Sequence, residues 1–309
     1  MKVAVCVVTY LRPKGLARLL EGVRALRFDR VDAPSLEIVV VDNDPNGGAR
    51  EVCRSLADTL PWPLRYANET RRGVSQARNR AVDEARAAGA EWIAFIDDDE
   101  VPDEHWLDEL LRVQREYEAD VVAGPVPPVF EGGAPAWVER GGFFAPRTFE
   151  TGTRVEHPGA GNVLLRTSLL DGMDAPFDER FALTGGEDTH LFLRLARAGA
   201  VMVWAEEAIA HEWTPATRTR TRWILQRVYR SANTWSACER ELDPAPRAMA
   251  GRVAKGVARI GIGLAMLPVS WMFGRHMMVR SLWYVCFGAG NLTGLTRLRY
   301  NEYKTVHGH

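Results

Sequence analysis

Cysteine is scarce in this 309-residue sequence: Cys6, Cys53, Cys238 and Cys286 lie far apart and form no CxxC pair. That spacing excludes a zinc ribbon, argues against a disulfide framework and suits a reducing cytosol. A signal peptide is also missing, since Lys2 is followed by only a short apolar run before Arg12 and by no small-residue cleavage site. The catalytic part is therefore expected in the cytosol. No P-loop occurs, nor the Asp-x-Asp-x-Thr of an aspartyl-phosphate nucleophile, which leaves phosphotransfer without its usual machinery. There is no internal repeat. With 46% hydrophobic and 26% charged residues, the composition is that of a globular protein and excludes a disordered or multi-span membrane chain. The length allows one large α/β domain with an appendage, or two modest domains.

Net charge is nearly absent as well, at -1, but the balance is uneven along the chain. From Glu212 onward 15 Lys and Arg stand against 5 Asp and Glu, whereas residues 1–211 hold 24 against 35. An acidic front is a poor nucleic-acid binder, and a basic rear third suits an anionic surface.

What is present is a βαβ pattern. Residues 3–9 form a short, continuous apolar and β-branched run, the mark of a strand buried on both faces of a parallel sheet. Leu16, Leu19, Leu20 and Val23 follow at helical spacing behind Pro13, and residues 36–42 repeat the strand signature. Residues 75–88 read as a helix with Ala77, Ala81, Ala85 and Ala88 close to one stripe, and residues 92–96 as a third strand. A helix over 104–117, strands at 121–124, 161–166 and 201–204, and an amphipathic helix over 188–198 complete the reading. Residues 125–153, rich in Pro, Gly and aromatics (Phe130, Trp137, Phe143, Phe144, Phe149), are a loop or lid candidate. Ligands of open α/β sheets gather outside the carboxyl ends of the strands, and Thr9, Asp42 and Asp97 to Asp99 all fall there.

The triplet Asp97-Asp98-Asp99 carries the strongest chemical signal. Adjacent carboxylates repel one another unless a cation or water screens them. A divalent metal supplies one account, with Asp97 and Asp99 on one face, the first toward a nucleotide ribose and the second toward Mg²⁺ or Mn²⁺. A solvated acidic turn capping the helix at Glu104 is the other.

Adding Val7-Val-Thr-Tyr10, Val41-Asp-Asn43, Arg72-Gly-x-x-x-Ala-Arg-Asn79, Gly185-Gly-Glu-Asp-Thr189 and a late His211, the chain resembles an inverting family 2 glycosyltransferase of GT-A fold over roughly residues 1–215. The resemblance implies a mostly parallel, Rossmann-like sheet flanked by helices, and a nucleotide-sugar site. Thr9, Tyr10, Arg12, Asp42, Asn43, Arg71, Gly73, Arg78, Asp97, Asp98 and Asn162 are its implied donor-binding residues. Within that set, Asp42 would accept from a base N–H, Arg71, Gly73 and Arg78 would meet the diphosphate near a helix start, and Asn162 would line the donor-sugar pocket. Asp99 and His211 are the implied metal ligands for Mn²⁺ or Mg²⁺, the imidazole favouring Mn²⁺. Asp188 is the implied base, with Glu187 beside it orienting the acceptor and the Gly-Gly pair allowing close approach to substrate. The alternative for Glu187 and Asp188 is that they complement the positive end of the following helix.

The expected organisation is a GT-A catalytic domain over 1–214 and a basic, apolar helical region over 215–309. The expected reaction is inverting transfer from a nucleotide-diphosphate sugar, UDP-linked, to a glycan acceptor, lipid-linked in some relatives, in cell-surface polysaccharide synthesis. A polyprenyl-phosphate sugar transferase and a non-catalytic nucleotide-sugar-binding scaffold are the alternatives. The tail is expected to lie on an anionic membrane surface at the inner face of the cell membrane, because its charge-free runs at 260–273 and 281–296 are short and Pro268 interrupts the first. A soluble helical subdomain is the competing account. No nucleic-acid partner is expected.

Overall fold

The computed structural model describes residues 1–296, so residues 297–309 of the expected tail region lie outside the described residues. The chain opens with β1 (Lys2–Thr9), α1 (Pro13–Arg24) and β2 (Ser35–Asp42), the βαβ start read from the sequence. Next come α2 (Arg50–Ala57) and β3 (Leu64–Asn68), neither of which the apolar pattern reveals. The helix buries only Cys53 and the strand buries only Ala67, so no long period forms. The elements α3 (Val74–Ala87), β4 (Trp92–Asp97), β5 (Glu100–Pro102), α4 (Trp106–Tyr117), β6 (Val121–Ala123), β7 (Pro128–Phe130) and α5 (Ala136–Gly141) follow. After them come β8 (Asn162–Arg166), α6 (Glu187–Arg197), β9 (Met202–Trp204), β10 (Ala210–Thr214), α7 (Thr221–Leu242), α8 (Pro246–Ser270) and α9 (Arg275–Gly294).

The main sheet has seven strands in the order β3-β2-β1-β4-β8-β6-β9. Only β8 runs antiparallel to its neighbours, so the sheet is mostly parallel, as expected. Period-2 alternation explains why β1 is apolar throughout. Val3, Val5 and Val7 belong to the core on the α1 and α4 side, while Ala4 and Cys6 belong to the core on the α3 and α6 side. Each fully buried Val, Leu or Ile contributes roughly 1.5–3 kcal/mol from area removed from water. Pairing in register brings Thr9 beside Asp42 and Val8 beside Asp97, so the polar strand ends share one edge. A second sheet, in the order β5-β10-β7, forms beside that edge.

Among the described residues, α7, α8 and α9 pack as a helical group through glycines. A Cβ on Gly290 of α9 would stand 2.2 Å from the Tyr229 carbonyl of α7, and one on Gly288 would stand 2.5 Å from the Gly256 carbonyl of α8. The sequence reading of a short, interrupted run at 260–273 is corrected here. Helix α8 continues through Pro268, and Pro246–Phe273 is long and apolar enough to cross a membrane by length and composition, an 18-residue window within it having a mean hydropathy of 1.5. Its first turns recruit Arg252, Lys255 and Arg259. Pro268 falls near the C-terminal end, where one backbone bond is lost and the helix still reaches Ser270.

Candidate active site

A cleft of about 980 Å³ opens at the carboxyl ends of the strands. The aspartate triplet, where β4 runs out, forms its floor. Asp98 is buried and turned toward the sheet: Thr9 Oγ1 donates to its Oδ2 at 2.8 Å and Arg12 Nη1 to its Oδ1 at 2.8 Å. Burial pushes its carboxyl up to about 6, against the pull of Arg12 and with a further push from Asp99. Asp97 receives Arg78 Nη2 at 3.0 Å. Asp99 Oδ2 accepts from both Arg12 at 3.0 Å and Arg218 at 2.9 Å.

Two further carboxylates, absent from the sequence reading, join this floor. Glu100 is buried, and burial together with Asp97, Asp99 and Glu212 raises its carboxyl well above the ordinary range. Gly161 makes room for it, since a Cβ there would stand 2.4 Å from Glu100 Oε1 and 3.2 Å from Asp97 Oδ2. Glu212 projects from β10 and accepts from Arg218 Nη1 at 2.6 Å. Burial raises its carboxyl, opposed first by Arg227.

Across the cleft, Gly185-Gly186 begins α6 with positive φ of 73° and 95°, which glycine adopts freely. The expected reason for the pair was close approach to substrate. At Gly186 the neighbour is instead α7, because a Cβ there would stand 1.9 Å from Thr234 Cγ2. Glu187 is buried. Its Oε1 accepts from Arg78, and its Oε2 has no hydrogen-bond partner among the described residues. Burial pushes its carboxyl up to about 7, with Arg78 lowering it and Asp188 raising it. Asp188 faces the cleft, its Oδ1 accepting from Thr189 N at 2.6 Å and its Oδ2 from Ala160 N at 3.3 Å. Arg78 thus ties Asp97 on the floor to Glu187 on the opposite wall.

Thr9, Tyr10, Arg12, Asn43, Gly73, Arg78, Asp97, Asp98, Asp99, Asn162, Glu187 and Asp188 all line the cleft. Asn43 pins the loop before α3, with Nδ2 donating to the carbonyls of Glu69 and Arg71 and Oδ1 accepting from Gly73 N at 2.7 Å. Asn162 has its amide committed to the scaffold. Nδ2 donates to Pro125 and Ala208 carbonyls, and Oδ1 accepts from Trp106 Nε1 at 2.7 Å.

Three expected residues are not brought to the lining. Asp42 is buried beneath it, accepting from Asp44 N, Ala49 N and Tyr66 OH, because it shapes the loop after β2. Arg71 turns outward to Glu69 and Glu179, and Arg72 lines the cleft in its stead, its guanidinium 5.3 Å from the Tyr10 ring centroid. His211 bonds Asp103 at 3.0 Å. Successive residues of β10 point to opposite faces, so Glu212 takes the cleft side and His211 the other.

The wall completing the cleft is α7, which supplies Trp223, Gln226, Arg227, Arg230, Ser231, Thr234 and Trp235. These lie at helical spacing in a segment the sequence reading gave to the membrane. That spacing was the available signal. For Arg218 the sequence holds none, because its role exists only through contact with Asp99 and Glu212.

Asp97, Asp99, Glu100 and Glu212 form an all-oxygen set; burial first, and the neighbouring carboxylates second, raise the proton affinity of Asp97, Glu100 and Glu212, and such a set suits a hard cation. With His211 turned away, the nitrogen argument for Mn²⁺ over Mg²⁺ lapses. A separate grouping, Asp178, His190 and Glu241, brings ligand atoms within 4.8 Å of one another, but Arg180 already bridges its two carboxylates.

Comparison with known proteins accords with this geometry. The family model for glycosyl transferase family 2 matches residues 4–172, and that for glycosyl transferase family group 2 matches residues 92–295. Succinoglycan biosynthesis protein ExoM of Rhizobium meliloti is 30% identical over 232 residues, covering 75% of this chain and 72% of that protein. Glycosyltransferase AglE of Haloferax volcanii is 22% identical, covering 67% of this chain and 65% of that one. Among solved structures, S. aureus TarS 1-349 in complex with UDP aligns with a TM-score of 0.54 at 17% identity, covering 94% and 90% of the two chains. Mannosyltransferase PcManGT from Pyrobaculum calidifontis, in complex with GDP-Man and Mn²⁺, aligns at 0.60 and 18% identity, covering 93% and 86%. These neighbours share the GT-A fold.

Proposed function

The chain belongs to glycosyl transferase family 2, and from that premise we propose that it transfers a sugar from a UDP-linked donor to a glycan acceptor, with inversion, in polysaccharide biosynthesis. The observation that carries this is one cleft walled by the aspartate triplet on one side and Asp188 at the head of α6 on the other. Thr9, Asp98 and Arg12 form the rigid base on which the nucleotide rests. Asp97 and Arg78 set the ribose and diphosphate side. Asp188 takes the proton of the acceptor hydroxyl as it attacks the anomeric carbon from the face opposite the leaving diphosphate. Glu187, held by Arg78, orients that acceptor. When bound, a divalent cation on Asp99 and its neighbouring carboxylates would offset charge developing on the leaving diphosphate.

The same reading puts the enzyme on the inner face of the cell membrane. Support comes from a stretch without any acidic residue between Asp243 and Glu302. It also comes from an α8 face left uncovered by the described residues, where Val257 and Leu264 are 56% and 54% exposed, and from Trp271 just beyond its end, 71% exposed. Basic residues flank that face, as suits an anionic bilayer interface.

Calorimetry with UDP tests the donor site. Wild type should bind UDP more tightly with Mn²⁺ present, and Asp99→Ala should lose that enhancement. Equal binding and equal Mn²⁺ dependence in the variant would remove Asp99 from the metal role.

A further inference from the structure

Of the eight arginines that line the cleft, five fall into two groups. Arg12, Arg78 and Arg218 lie at the floor, each bonded to carboxylates. Arg147 and Arg227 lie higher: neither makes a direct ion pair with a carboxylate among the described residues, although Glu212 feels the charge of Arg227. Their partners are rings. Arg227 stands 5.4 Å from the centroids of both Phe144 and Trp223, which stack at 5.8 Å with an interplanar angle of 6°. Arg147 Nη1 contacts His157 at its carbonyl oxygen and ring, both at 3.3 Å. The His157 ring meets Trp235 edge-on at 4.3 Å.

The position of this rim follows from its contacts. Trp235 follows Thr234, whose methyl abuts Gly186, and lines the same cleft as Glu187 and Asp188. His157 feels the charge of Asp188 as well as that of Arg147. From Trp223 to Trp235 the half-buried, cleft-lining stripe of α7 extends about 18 Å at 1.5 Å per residue, the length of a few sugar rings. Aromatic faces stack on the apolar faces of pyranose rings, and guanidinium groups between them select for negative charge.

Resting on the glycosyltransferase reading, we infer that Phe144, Arg147, His157, Trp223, Arg227 and Trp235 form the acceptor subsite and that the acceptor is an anionic saccharide. The charge is a carboxylate on a sugar ring or a phosphoryl group at the reducing end. Trp235 and His157 hold the reacting sugar beside Asp188, and Arg147 and Arg227 grip the charge.

Tryptophan fluorescence of the full-length protein, saturated with UDP, tests this without turnover. Three probes are titrated: cellobiose, a glucuronic-acid-containing disaccharide and glucose 1-phosphate. At least one anionic probe should bind about tenfold more tightly than cellobiose, and whichever does so names the source of the charge. Arg147→Gln and Arg227→Gln should each weaken that probe by about tenfold, with UDP affinity unchanged. Trp235→Ala should weaken all probes. Equal binding of all three probes would overturn the inference, as would an Arg227→Gln variant that loses UDP affinity and keeps probe affinity. Failure of wild type to bind UDP would count against the donor reading instead.

Discussion

Arg218 Nη2 donates to Asp99 Oδ2 at 2.9 Å, joining the segment before α7 to an aspartate 119 residues earlier. The same carboxylate oxygen receives Arg12, and the other amino group of Arg218 holds Glu212. Floor and α7 wall are thereby one unit, and the cleft is complete only when β10 has delivered the chain to that point.

Arg218→Gln breaks two shielded ion pairs at once. Loss of one partner of a buried pair costs about 3–5 kcal/mol, less here because Asp99 and Glu212 retain some solvent, so the melting temperature should fall by roughly 5 °C or more. Mn²⁺ should then raise the melting point of the variant more than that of wild type, since the released carboxylates call for a cation. An unchanged melting point would remove Arg218 from this role.

Asp188→Asn keeps shape and removes basicity. Donor binding should stay near normal while turnover falls at least about a hundredfold, the scale of a lost general base. Transfer at the wild-type rate would move the base elsewhere, with Glu187 next in line.

Glu187 gives stability a pH dependence. Its carboxyl holds a proton up to about 7 in the folded protein against an ordinary value of 4.5. The native state therefore binds the extra proton between these values. Its contribution is full below the ordinary value and is lost as pH rises through about 7. Wild type should lose melting temperature from about pH 5 to about pH 8, and Glu187→Gln should show a shallower decline. Parallel curves would mean that Glu187 is ionised throughout.

The helical hairpin is open to a membrane test. Full-length protein should float with anionic vesicles at low salt, and Trp271→Ser combined with Phe273→Ser, at the exposed tip between α8 and α9, should reduce that flotation. Substitution is cleaner than truncation after Glu212, which would also remove Arg218 and the α7 wall. Wild type that ignores anionic vesicles would refute the membrane assignment.

By itself the sequence determined the βαβ frame and the location of the site. Those follow from local rules: apolar runs make buried strands, and their polar ends collect at one edge, which is why Thr9 and Asp97 to Asp99 were legible, whereas the Gly-Glu-Asp turn was legible only through the family resemblance. The short or half-exposed elements α2, β3, β5 and β10 left no such period. Tertiary structure alone decided which neighbour faces the cleft. Glu212 rather than His211 does so because strand alternation has a phase that only sheet pairing sets, and Arg72 rather than Arg71 because Glu69 and Glu179 draw the latter outward. It also decided that α7 belongs to the site, because the stripe from Trp223 to Trp235 has the same spacing whether it meets lipid, protein or substrate. Long-range packing of Thr234 on Gly186 and Arg218 on Asp99 selects among these, and no local pattern encodes it.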